Sequence, residues 1–325
     1  MTTISPAHLG DEFCQRFGVE VPIVGAPMAF VAGGRLAASV ADAGGLGLIG
    51  GGYGDEDWIT DQLALAGTDH VRSGRVGVGL ITWRLADLGL GLVERLISRG
   101  VRTICCSFGD PRPIMALVHG AGGRVLCQVQ SVDEALRAAA GGADAIVVQG
   151  TEAGGHGRHN EGVEALVRAT VGAIAGTGSP VLAAGGITTV DRVRRALGWG
   201  AAGVMIGTRL YATTEALDVE AAKQLLVASD GGDTVRTSVF DRVRGPDWPE
   251  GYDGRALRNT LVTQWERSSS EILDDLDRAQ AGYRIATDAA DLSQRVVWAG
   301  SGVGEIQSIA PAATVIAELT AGFGR

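Results

Sequence analysis

The chain has 325 residues, of which 46% are apolar and 20% charged, a composition far from that of chains that stay disordered. Its 28 lysines and arginines against 37 acids give a net charge of −9 with no basic cluster, which excludes the electrostatic footprint of a nucleic-acid binder. The 50 glycines are about 15% of the chain, roughly twice the usual share, so many places need backbone without a side chain.

The N-terminus carries Asp11 and Glu12 and no basic-then-apolar export pattern, which predicts a cytoplasmic protein. From there the first two thirds repeat one theme: a short apolar run, a glycine-containing loop and an amphipathic stretch rich in Ala, Leu and Arg. Eight such runs are present, at 21–27 (VPIVGAP), 45–50 (GLGLIG), 75–80 (RVGVGL), 103–108 (TICCSF), 125–129 (VLCQV), 145–149 (AIVVQ), 181–185 (VLAAG) and 203–207 (GVMIG). Continuous apolar runs mean strands buried on both faces, and their starts lie 20 to 36 residues apart, the length of one strand plus one crossover helix. Eight βα units predict a (β/α)8 TIM barrel over residues 1–211 rather than an open doubly wound sheet. Gly77 and Gly79 inside the third run suit close backbone approach. The longest uncharged stretch, 169–190, is broken by GTGSP at 176–180, so it reads as a helix end, a turn and a strand, not as a membrane span.

After residue 211 the character changes. Residues 212–300 hold only 7 of the 50 glycines and a net charge of about −6, with helical runs at 215–229 and 271–286. They are expected to form an inserted, mostly helical second domain that acts as a lid over the substrate. Residues 301–325, with an amphipathic run at 305–319, are expected to return as the last barrel helix. Trp248, Trp265 and Trp298 fall in or beside the insertion, and core packing is the expectation for each.

Barrel enzymes place their chemistry on the loops at the carboxyl ends of the strands. Gly185 and Gly186 after the seventh run, with Gly207 and Thr208 after the eighth, occupy the two loops where such barrels bind phosphate. The loop after the sixth run, 149–157 (QGTEAGGHG), surrounds His156 with glycines, and an imidazole is the side chain that moves protons near neutral pH. Glu152, His156 and His159 share no regular face, and Cys14, Cys105, Cys106 and Cys127 have no ligand spacing, so no metal site and no disulfide are expected. Cys105 and Cys106 must face opposite sides of one strand, and inert packing is the expectation for both.

Ala26-Pro27-Met28, Ser107-Phe108-Gly109, the 149–156 loop, Ala184-Gly185-Gly186-Ile187 and Gly207-Thr208 together resemble the nitronate monooxygenase family, formerly 2-nitropropane dioxygenases. The same set resembles the related flavin-dependent enoyl-acyl-carrier-protein reductases. The resemblance implies non-covalent FMN, with Ala26, Pro27 and Met28 along the isoalloxazine and Gln128, Gln149, Gly154 and Gly155 at its polar side. It further implies Ala184, Gly185, Gly186, Gly207 and Thr208 around the phosphate, with Ser301 at a turn that is commonly Gly-Gln in relatives. The implied activity is oxidation of alkyl nitronates, or of nitroalkanes, by dioxygen to a carbonyl compound and nitrite, with His156 as the catalytic residue. The alternatives are an NAD(P)H-dependent enoyl reductase and a non-catalytic flavin-binding module. The acidic balance offers no complementary surface to an acidic carrier protein and weighs against the reductase. A homodimer stays open.

Overall fold

The computed structural model describes residues 6–159 and 161–321. Among the described residues eleven strands occur: β1 (Ile23–Gly25), β2 (Gly47–Gly50), β3 (Val76–Ile81), β4 (Thr103–Ser107), β5 (Arg124–Val129), β6 (Ala145–Gln149), β7 (Gly155–Arg158), β8 (Val181–Ala184), β9 (Gly203–Ile206), β10 (Thr234–Thr237) and β11 (Tyr252–Leu257). Eight of them form one parallel sheet in the order β1-β9-β8-β6-β5-β4-β3-β2, and a parallel bridge between Val24 and Leu46 joins its two edges. The sheet is thereby a closed TIM barrel, built from the eight apolar runs.

Side chains alternate across the barrel wall. Val24, Leu48, Cys105, Leu126, Val147, Leu182 and Met205 fill the interior. Their neighbours Ile23, Ile49, Ile104, Cys106, Val125, Ile146, Val181 and Val204 join the layer under the surrounding helices. The two cysteines thus face opposite sides. Burial pushes the Cys105 thiol up to about 12 and that of Cys106 well above its ordinary value, which keeps both un-ionised and unreactive. Phe13 and Phe17 pack into the interior cluster, so the helix Pro6–Phe17 plugs the barrel.

Helices begin where the sequence supplies caps. Ser131 accepts the Glu134 amide at 3.2 Å at the start of Val132–Ala140, and Thr189 accepts the Arg192 amide at 3.4 Å at the start of Val190–Gly198. The run at 305–319 is helical only over Ala312–Leu319, because Pro311 starts that helix and the Glu215 carboxylate accepts its first amide at 3.1 Å. Glu305 instead accepts from Thr188 and, at 2.6 Å, from Arg192, tying this returning segment to the loop after β8.

Beside the barrel sheet the chain forms a second, smaller sheet with helices packed on it. β10, β11 and β7 form an antiparallel three-stranded sheet, in which His156 stands opposite Gly254. Around it pack the helices Val239–Arg244, Thr260–Arg267, Ser269–Asp274 and Leu276–Asp288. Their core contains Val239, Phe240, Val243, Ala256, Leu261, Val262 and Tyr283, with Trp265 packed against it. The expected helix over 271–286 is broken at Asp275, and the one over 215–229 is confined to Glu220–Ala228, whose Ala222 and Leu226 join the main core instead. β7 belongs by sequence to the loop after β6, so the second sheet holds that barrel loop directly. Among the described residues no helix is long and apolar enough to cross a membrane.

Candidate active site

At the carboxyl ends of the barrel strands lies a cleft, open on one side and lined by the loops that follow the strands. Its floor is built from glycines that let loops lie against one another. A methyl group on Gly79 would stand 2.2 Å from Pro27, and one on Gly50 would meet the Met28 carbonyl oxygen at 2.2 Å, so the segment Ala26–Met28 rests directly on β2 and β3. A methyl group on Gly154 would stand 2.6 Å from the Gly300 amide nitrogen. The Ser301 amide donates to the Glu152 carbonyl at 2.9 Å, and the Gly300 amide donates to the Thr208 hydroxyl at 3.0 Å. Gly185 and Gly186 sit at φ +120° and +65°, where a side chain is strained, and they turn the chain over this weave. Gly207 leaves open the space that a Cβ would take beside Ala26 and Met28.

Ala26, Pro27, Met28, Gln128, Gln149, Gly154, Gly155, His156, Ala184, Gly185, Gly186, Gly207 and Thr208 all line this cleft. Ser301 does not; its neighbours Gly300 and Gly302 do, and Ser301 serves through its backbone bond to Glu152. Gln149 is largely engaged within the protein. Its carbonyl accepts from Gln128 at 3.0 Å and Gln130 at 2.8 Å, while its amide donates to the His156 carbonyl at 3.0 Å. That bond fixes the histidine loop to the end of β6. The Glu152 carboxylate accepts the Val163 amide at 2.9 Å.

His156 stands over the cleft with its side chain only 10% exposed. Its Nε2 lies 2.7 Å from Oδ1 of Asp241, itself 8% exposed, and its ring stacks on Trp248 at 3.7 Å and 6°. A carboxylate partner accepts, so Nε2 carries the hydrogen and Nδ1 keeps its lone pair. Burial lowers the imidazole below its ordinary value of 6.5; Asp241 pulls the other way, and Arg244 adds to the lowering. Oδ2 of Asp241 is buried with no hydrogen-bond partner among the described residues.

Aromatic rings wall the chamber around this pair. Trp248 meets Phe108 at 5.0 Å and Trp83 at 5.6 Å, its indole nitrogen donates to the Tyr53 hydroxyl at 3.0 Å, and Trp298 lies 4.9 Å from His156. Trp265 and Trp298 both pack against the core of the smaller sheet, and Trp298 also lines the cleft, whereas Trp248 lines the cleft and is absent from that core. Trp298 fits because residue 254 is glycine; a methyl group there would fall 2.2 Å from its ring. Tyr53, Asp241 and Arg244 line or border the cleft without being singled out in the sequence, whereas Trp248 and Trp298 are named there as core or lid. The only local signal was the three-residue spacing of Asp241 and Arg244, which places both on one side of a helix.

Comparison with known proteins decides the family. The nitronate monooxygenase family model matches residues 12–68 and 82–322. The chain belongs to the nitronate monooxygenase family. It is 31% identical to a nitronate monooxygenase of Neurospora crassa over 91% of this chain and 87% of that one. It is also 35% identical, over 78% of this chain and 67% of the other, to a Mycobacterium tuberculosis (3aS,4S,5R,7aS)-5-hydroxy-7a-methyl-1-oxo-octahydro-1H-indene-4-carboxyl-CoA dehydrogenase. Among solved structures, a nitroalkane oxidase from Streptomyces ansochromogenes superposes with a TM-score of 0.78 at 25% identity, covering 95% of this chain and 97% of that one. Membership makes this nitronate monooxygenase family protein an oxidoreductase, with nitronates as the substrate class of its family.

Proposed function

We propose that the protein oxidises small alkyl nitronates with dioxygen, using FMN held in the cleft. The observation that carries this reading is the buried His156–Asp241 pair at the mouth of a glycine-floored barrel cleft. The residues fit the cofactor. Ala26 to Met28 with Gly154 and Gly155 offer flat, unbranched surface for a planar ring, while Gly185, Gly186, Gly207 and Thr208 surround the space a phosphate needs. Residues 212–300 act, in this reading, as the unit that closes the chamber. When bound, FMN supplies one-electron acceptance and reactivity toward dioxygen, the chemistry that turns a nitronate into a carbonyl compound and nitrite.

The chain's own residues supply position and proton transfer. Nδ1 of His156 takes the α-proton when the substrate arrives as a neutral nitroalkane, because burial keeps the ring neutral and Asp241 holds the other nitrogen. Gln149 fixes the backbone of that histidine, and the rings of Phe108, Trp248 and Trp298 keep water from the reacting carbon. A pH consequence follows. A protonated His156 cannot accept a proton, so kcat/KM with nitroethane is expected to fall on the acid side with a midpoint below 6.5. A pH–rate profile checks this, and a midpoint at or above 6.5 contradicts it.

The direct test is the absorption spectrum of the purified protein, followed by oxygen uptake with ethylnitronate. A yellow protein that releases FMN on denaturation and forms nitrite with oxygen uptake supports the reading. A colourless protein that refuses added FMN ends it. A second reading, redox chemistry on an acyl thioester, draws on the mycobacterial relative and on a second cleft carrying Arg112, Arg137 and Arg158, which shares Phe108 and Gln128 with the first. Anaerobic bleaching by NADH and not by the nitronate favours that reading.

A further inference from the structure

Among the described residues lining the cleft, Arg244 is the one permanently charged side chain. It is the last residue of the helix Val239–Arg244, and its guanidinium lies 6.0 Å from the centre of the Tyr53 ring and 5.9 Å from that of Trp298. Arg242, two residues earlier, points to Asp247 at 3.8 Å. No aspartate or glutamate forms an ion pair with Arg244 among the described residues. Asp241, the carboxylate one helical turn before it, gives one oxygen to His156 and leaves the other without a hydrogen bond.

A half-buried guanidinium held between aromatic rings, with no carboxylate in ion-pair contact among the described residues, is a positive charge able to take an anion. Its planar fork of donors matches planar groups that carry two oxygens on one atom. Its partial burial beside these rings strengthens the attraction relative to a fully exposed arginine. Position assigns the site to the substrate and not to the glycine cradle. Arg244 and His156 both border Trp298, so an anion held by the guanidinium lies within the chamber that His156 faces.

We infer that Arg244, with Tyr53 and Trp298, forms an oxyanion subsite for small planar anions such as the nitro end of a nitronate or a carboxylate. In combination with the function proposed above, this makes Arg244 the residue that favours the ionised nitronate over the neutral nitroalkane at the binding step.

Propionate, which matches ethylnitronate in shape and charge, is the probe. It is titrated into the purified protein as isolated, with tryptophan emission from the chamber as the signal, against uncharged propionamide. Propionate binding at least tenfold tighter than propionamide supports the subsite; equal binding overturns it. Arg244→Gln is expected to weaken propionate by about 10- to 100-fold, the range for a lost charged hydrogen bond, and Arg244→Lys, which keeps the charge without the fork, is expected to fall between. Propionate binding by Arg244→Gln within twofold of the parent overturns the proposal. Should that variant fail to fold by circular dichroism, the propionate-to-propionamide ratio of the parent and the Arg244→Lys value decide. In kinetics, Arg244→Gln is expected to raise KM for ethylnitronate about 10- to 100-fold while KM for nitroethane moves less than about threefold. Equal shifts for both substrates contradict the assignment. Because propionate binding needs no turnover, a protein that binds propionate through Arg244 yet leaves nitronates untouched refutes the proposed function and keeps the subsite.

Discussion

His156→Asn is expected to lower kcat with nitroethane by about 10²- to 10⁴-fold, the usual contribution of a positioned general base, while the bound cofactor stays at the parent level. Asparagine keeps a polar group that can face Asp241 but has no basic nitrogen near neutral pH. The loss should be much smaller with pre-formed ethylnitronate, which needs no deprotonation. That split separates a base from a merely structural histidine, since disturbing the stack on Trp248 would impair both substrates alike. Oxygen uptake with each substrate, beside the visible spectrum of the variant, makes the comparison. An unchanged rate with nitroethane removes His156 from proton transfer.

The same residue marks where sequence alone reaches its limit. The glycines of the 149–157 loop distinguish His156, and the barrel itself is legible because strands buried on both faces read as continuous apolar runs at crossover spacing. The inward glycines are legible too, since Gly77 and Gly79 interrupt a run that would otherwise pack side chains. What surrounds the imidazole is not. Asp241 reaches it because β7 pairs with β11, setting His156 opposite Gly254, and a cross-strand pairing over such a separation leaves no periodic trace. Trp298 looks like core in sequence and packs partly as core, yet the bare backbone at Gly254 lets its ring slide against His156. The helix Pro6–Phe17 stands outside the βα repeat, and its phenylalanines become visible as a plug only once the barrel interior exists.

Gly79→Ala tests the floor of the cleft in the same way that His156→Asn tests its chemistry. The added methyl group would lie 2.2 Å from Cβ and 2.4 Å from Cγ of Pro27, distances that no real pair of carbons tolerates. A proline ring cannot rotate out of the way, so the segment Ala26–Met28 has to move as backbone. That segment is pinned on its other side: the Ala26 amide donates to the Ile206 carbonyl at 2.9 Å, and Gly50 admits the Met28 carbonyl only because it lacks a side chain. Overpacking of this kind costs about 1–3 kcal/mol, which a barrel of this size survives. The strain falls on the surface proposed to hold the flavin, so the expected outcome is a folded protein, with far-UV circular dichroism like the parent, a Tm lower by several degrees and most of the FMN lost on purification. Val78→Ala supplies the control. Val78 is fully buried on the outer face of the same strand, so its truncation lowers Tm through a cavity but leaves the Pro27 segment in place and the cofactor bound. If Gly79→Ala retained FMN at the parent level, the Ala26–Met28 segment would not be the flavin's support.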